Sequence, residues 1–324
     1  MKTIKYLSMA AAALLMASCS NNENPYDGPV ELRLTSGVEV QQSRAAANTQ
    51  EEVIAPNEGV DVWVDDATDK TALYKANALT SDGSNGFTGG TPMFFPQTGN
   101  NIDIYAIHGT FTTPFTNGTA FPTTAQEFSV VADQSAGGSS YTGSDLLYAY
   151  DTDVARAAHP ATTHQLTFYH MLSKLELAIK IGAGIPELAA TGAVTLGGVV
   201  LNGDFTPSAT VDMAKQDKRA EMIASAATAT TGTMTLGQTP CTDFEETNVV
   251  YNEAIMVPQD MNGKVLTFKL ANNGELKYTF KNTTFASGKK YLYHITLDLT
   301  GVTVTSEIKA WDPVSATTGT ATMQ

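Results

Sequence analysis

The residues of this 324-residue chain that could do chemistry are few and scattered. The most specific is Cys19, which ends LLMASC: a small residue precedes it and Leu and Met lie just upstream. A thiol so placed suits transfer of a diacylglyceryl group. Its sulfur becomes a thioether, the amine freed by cleavage is acylated, and two or more acyl chains hold a protein on a membrane where one does not. Lys2 and Lys5 supply a positive n-region, and the apolar run from Tyr6 to Met16 is too short to span a bilayer, so residues 1–18 read as a processed export signal. The alternative is an ordinary secretory signal cut after Ala17 or Ser18; both readings take the chain out of the cytoplasm. The second cysteine, Cys241, lies between Pro240 and Thr242 with no histidine nearby, and reads either as a small buried hydrophobe or as an unactivated nucleophile. With Cys19 lipidated, no disulfide framework remains.

Other constellations are weaker. His159, His164 and His170 invite a metal, but His164 and His170 lie ~20 Å apart if the strand between them rises ~3.3 Å per residue. Asp61, Asp65, Asp66 and Asp69 lack the ligand alternation and central glycine of a calcium loop, and read as a solvated acidic turn. Glu245 and Glu246 could in principle cleave a glycosidic bond, yet nothing sets them across a cleft. Asn117 and Asn282 head N-x-T triplets, which matter only in a glycosylating host. There is no phosphate loop, no G-x-S-x-G elbow and no HExxH. The chain is therefore read as a non-enzyme needing no cofactor and no metal. The net charge of −14 falls to −16 once Lys2 and Lys5 leave with the signal; without a basic stripe, no nucleic-acid partner is expected.

The elements that must position these residues are strands. Hydrophobic content is 42%, and short apolar runs are punctuated by 26 Gly and 13 Pro, an all-β texture. Val30, Leu32 and Leu34 alternate with Glu31, Arg33 and Thr35; Val60, Val62 and Val64 alternate with Asp61, Trp63 and Asp65. Further strands are expected at Tyr74–Leu79, NIDIYAIHG, Gln126–Val131 and DLLYAYD. The strongest pattern is QLTFYHMLSKLELAIKIG, with a bulge or strand switch near Ser173; beyond it Leu175, Leu177, Ile179 and Ile181 point inward and Lys174, Glu176, Ala178 and Lys180 outward. Strands follow at AVTLGGVVLNG, AIMVP, KVLTFKL, GELKYTF, KKYLYHITLDL and VTVTSEIKAW, with an Asn-Gly type hairpin at ANNGE. VDMAKQDKRAEMIASAA is the one helical candidate. A domain break is expected in ARAAHPATTH, between residues 155 and 163.

Six segments, in order, resemble the fimbrillin family, precursors of type V pili of Gram-negative bacteria: the lipobox followed by PVELRLTSGV and an Arg-Ala pair, MFFPQTGNNIDIYAIHG, DLLYAY, LTFYHMLSKLEL, AIMVPQ, and FASGKKYLYHITLDLTGVTVTSEIKAW. The resemblance implies two tandem transthyretin-like Greek-key β-sandwiches, residues 45–160 and 161–324, behind a signal of residues 1–18 and a leader of residues 19–44. It implies lipidation at Cys19, outer-membrane attachment of the precursor, cleavage of the Arg44–Ala45 bond by an extracellular Arg-specific protease, and a cell-surface fimbrium as destination. Removing the leader would take the Val30, Leu32 and Leu34 strand with it, and a strand from another pilin subunit would fill the groove. Of the four arginines, Arg33 sits within that strand, Arg219 in the helical candidate and Arg156 in a loop; only Arg44 lies between the removable strand and the body. The tail DPVSATTGTATMQ departs from the family's donor pattern, having only Val314 and Met323 as large apolar residues, so donation could fall on VTVTSEIKAW or the subunit could accept without donating. The alternative function is a surface lipoprotein that binds glycans or other ligands without polymerising, with Trp63 or Trp311 stacking on sugar rings.

Overall fold

The computed structural model describes residues 28–38, 54–135, 143–156, 161–207, 221–224, 229–238, 249–310 and 319–321, all strand, turn or irregular chain. The first half contributes β1 (Glu31–Val38), β2 (Gly59–Asp66), β3 (Ala72–Ser81), β4 (Phe87–Thr88), β5 (Met93–Phe94), β6 (Ile102–His108), β7 (Gln126–Ser129), β8 (Leu147–Val154) and β9 (Ala161–His170). Eight of them form one sheet in the order β4-β3-β2-β6-β8-β9-β1-β5. β8 and β9 share only the pairs Leu147–His170 and Tyr148–Tyr169, and beyond that joint the sheet folds back on itself. Val60, Val62, Val64, Ile102, Ile104 and Ala106 of one layer thereby share a core with Leu32, Leu34, Leu166 and Phe168 of the other.

The opposite face of the same strands is also buried. Trp63, Tyr105, Ile107, Tyr148 and Tyr150 point into a second, larger core, capped by Phe111 from the irregular stretch after β6, by Phe128 of β7 and by Val130 just beyond it. β6 is buried at every position, its polar Asp103 and His108 included.

The second half contributes β10 (Ser173–Ile181), β11 (Val194–Val200), β12 (Asn202–Thr206), β13 (Glu221–Ala224), β14 (Thr231–Thr235), β15 (Gly237–Gln238), β16 (Val249–Met256), β17 (Gln259–Asp260), β18 (Val265–Lys269), β19 (Glu275–Thr279), β20 (Thr284–Phe285), β21 (Lys289–Asp298), β22 (Gly301–Ala310) and β23 (Gly319–Ala321). Sheets β15-β16-β10-β21-β22-β23 and β14-β11-β18-β19 face each other across Leu175, Leu177, Ile179, Val194, Leu196, Leu266 and Phe268. The larger core thus draws side chains from before and after residue 160.

Backbone pairing also joins the halves. β7 pairs with β12 from Asn202–Ser129 to Phe205–Gln126, and Asp133 bridges Thr235. Gln134, fully buried, donates Nε2 to Ile255 O at 2.8 Å and to Val131 O at 3.1 Å, and its Oε1 accepts from Ile255 N at 2.9 Å.

The expected switch near Ser173 is present: β9 ends at His170, β10 begins at Ser173, and the chain changes sheets between them. The Asn-Gly turn after β18 holds Asn273 at φ 65°. Two expectations need correction. Within the helical candidate, Glu221–Ala224 is a strand paired with β12, Met222 opposite Phe205; its weak apolar stripe could not support a helix, and a free strand edge was available. The remainder of that stretch lies outside the described residues. Lys174 and Ala178, expected outward, are both buried; the Lys174 Nζ lies 2.9 Å from Glu176 and 3.0 Å from Glu253, with Lys290 3.4 Å from Glu176. Strand parity was right, but carboxylates from the same and a neighbouring strand let the ammonium leave water.

Candidate functional site: the groove of the first strand

β1 lies near one end of the first sheet, and its surroundings form the candidate site. On one side it pairs in parallel with β9 over its whole length, from Glu31–Ala161 to Val38–Phe168. Its other side is held only at the ends. Glu31 and Leu32 pair with Phe94 and Met93, and Phe95 N donates to Val30 O at 2.9 Å. Farther along, Ser36 N donates to Asn85 O at 2.8 Å and Thr35 bridges Gly86. Between these clamps a cleft of about 540 Å³ opens, lined by Leu32, Leu34, Leu79, Phe87, Gly90 and Met93 among others. Gly90 sits at φ 72°, where a Cβ would strike the Leu79 side chain 2.6 Å away.

The alternation in the sequence sets the chemistry of this strand. Val30, Leu32, Leu34 and Val38 are all buried in the smaller core. Arg33 lies on the other face, exposed, its guanidinium 2.7 Å from Glu31. β1 is therefore an amphipathic strand filling a hydrophobic slot, with an open backbone edge along the middle of one side.

The other predicted residues are dispersed. Cys19, Arg44, Ala45, Cys241, His159, Arg219, Glu245, Glu246 and Trp311 lie outside the described residues. Arg156 Nη2 donates to Gly28 O at 3.2 Å, so this arginine is engaged at the root of β1. The histidines do not converge: His164 Nε2 is 2.9 Å from Asp151 and His170 Nδ1 is 3.0 Å from Asp145, the latter pair fully buried. Among the described residues no three His, Cys, Asp or Glu side chains gather as for a metal. Of the acidic stretch, Asp61, Asp65 and Asp66 belong to β2, and Asp69 sits in the hydrogen-bonded turn that follows. Asp66 accepts from Asn100 at 3.0 and 3.1 Å and from Thr68 N at 2.8 Å, and the Asn100 amide chiefly holds its carboxyl below the usual range. Burial pushes Asp61 up to about 6, and burial with the nearby Asp103 raises Asp65.

Trp63 is buried, donates Nε1 to Thr119 O at 2.8 Å, and meets Phe115 and Phe121 edge-on at 5.1 and 5.4 Å. It packs in the core and offers no face to a sugar ring. The sequence reading also missed the clamps on β1. The short apolar run before Pro96 and the Asn-Gly pair at Asn85–Gly86 were their only signals.

Solved structures show the same fold. A "putative cell adhesion protein" of Bacteroides ovatus aligns over 90% of this chain and 99% of its own, at 18% identity and a TM-score of 0.61. A protein of the same description from Bacteroides uniformis aligns over 88% of this chain and 98% of its own, at 20% identity and a TM-score of 0.57. In sequence, the chain is 26% identical to the "Putative fimbrium subunit Fim1C" of Bacteroides uniformis, across 97% of this chain and 96% of that one. The all-β sandwich fold thus places the chain beside proteins described as adhesive or fimbrial. The fimbrillin-like family profile matches residues 43–311, and the chain belongs to that family.

Proposed function

We propose that the protein is a structural pilin subunit acting in cell-surface adhesion rather than an enzyme. It is exported as a lipoprotein through Cys19, held at the outer membrane, and activated when an extracellular Arg-specific protease cuts Arg44–Ala45. β1 then leaves its groove and an extended strand of another pilin subunit takes its place. The transthyretin-like Greek-key description of the two lobes comes with the family resemblance.

The observation that carries this reading is the setting of β1: an apolar-faced strand, clamped only at its ends on one side, joined to the body through the stretch that holds Arg44. The span matched by the family begins at residue 43, which leaves β1 outside it. Once the strand departs, the unpaired edge of β9 and the slot of Leu166, Phe168 and Val62 suit β-augmentation, main-chain bonds supplying affinity and alternate pockets supplying specificity. The non-polymerising glycan binder loses Trp63 as a stacking face, because that ring is enclosed; Trp311, its other candidate, lies outside the described residues.

Treating the mature chain with an Arg-specific protease tests the reading. The expected result is a fragment beginning at Ala45 and a ladder of non-covalent oligomers, both abolished by Arg44→Ala. A first cut elsewhere, or a cleaved chain that stays monomeric at high concentration, overturns it.

A further inference from the structure

The inward face of β1 has one defect. Val30, Leu32, Leu34 and Val38 enter the core, but the inward position between Leu34 and Val38 is Ser36. Ser36 is fully buried, and its Oγ has no hydrogen-bond partner among the described residues. The backbone cannot swing the hydroxyl outward: Ser36 lies opposite Leu166 of β9, its N–H is bonded to Asn85 O, and Thr35 bridges Gly86. A hydroxyl so held loses its hydration and gains no bond, whereas an apolar group there would lose nothing. The next residue, Gly37, is a weak strand former with no side chain to pack. Both sit at the end of β1 closer in sequence to Arg44.

We propose that Ser36 makes β1 a weak occupant of its own groove, and that the strand replacing it, an extended segment of another pilin subunit, sets an apolar side chain at the Ser36 position. The proposal rests on the strand-exchange reading above and adds a direction and a selection rule. The groove holds an uninterrupted apolar face more tightly than it holds β1, so exchange runs towards the incoming strand.

The test uses the mature full-length chain with Ser36→Ala, Ser36→Val or Leu34→Ala, each studied uncut and after Arg-specific cleavage. The first readout is the unfolding midpoint of the uncut protein; the second is the half-life of the leader fragment on the cut protein, followed by size exclusion. Ser36→Ala is expected to raise the midpoint and to lengthen fragment retention about tenfold, the scale of one orphaned buried hydroxyl. Leu34→Ala should shorten retention. Ser36→Val covers the case in which the space freed by alanine offsets the gain. The proposal is overturned when neither Ser36 variant raises the midpoint, or when the wild-type fragment leaves and the Ser36 variants release it equally fast. A wild-type fragment that never leaves would instead remove the exchange reading, and the uncut midpoints would still decide what the groove prefers at position 36.

Discussion

Replacing Gln134 by alanine strips Ile255 of both its side-chain hydrogen bonds and Val131 O of one, at a fully buried site between the two halves. The Gln134 backbone stays anchored through its N–H to Thr235 O at 3.0 Å, so the change is confined to the side chain. Each lost bond is worth about 1 kcal/mol net, and a backbone group left buried and unpaired adds about 1–3 kcal/mol, so a total near 4 kcal/mol is expected. For a body of this size that lowers the melting temperature by about 6 °C. Urea unfolding followed by far-UV circular dichroism, and by Trp63 fluorescence in a Trp311→Phe background, measures it. The expected outcome is one coincident transition in both signals, with unchanged slope and a lower midpoint. A loss below about 1 kcal/mol would show that the clasp is not worth its three bonds. A Trp63 transition that stays in place while the dichroism shifts would show that the halves unfold separately.

Three further outcomes are expected. Leu32→Ala empties a buried pocket on β1 and should cost about 3 kcal/mol in the uncut chain, seen as a lower urea midpoint. Lys174→Ala leaves Glu176 and Glu253 facing each other without the ammonium between them, and should cost about 3–5 kcal/mol by the same measurement. Asp61 has a folded-state pKa of about 6 against 3.8 ordinarily, so the folded protein holds its proton more tightly. Its contribution is most favourable below about pH 4 and is lost as pH rises through about 6. Asp61→Asn should therefore be more stable than the wild type at pH 7, and the difference should close by pH 4.

Strand positions were legible because a period of two survives whichever surface each face meets; the strands at Val60–Val64 and Leu175–Ile181 follow from it. What the period cannot say is what lies beyond each face. Asp61 and Asp65 flank Trp63 and make β2 read as half-exposed, yet Trp63 enters a second core, because the chain from Phe111 to Phe128 covers that side. Lys174 reads as outward, and only Glu253, far along the chain, allows it to be buried. The parallel pairing of β1 with β9 joins segments some 130 residues apart, and no local signal marks such a partner. The inward face of the groove strand was readable at Val30, Leu32 and Leu34. The burial of Ser36 was not, since a small polar residue at that position suits an exposed strand end equally well.

The parallel pairing of β1 and β9 has a mechanical meaning. Eight successive residue pairs run side by side in one direction. A pull along the strand axis loads their hydrogen bonds together, in shear, whereas a pull across it opens them one at a time. A strand seated in this groove would resist traction along its length far better than peeling at its tip, the asymmetry wanted in a thread that holds a cell against flow.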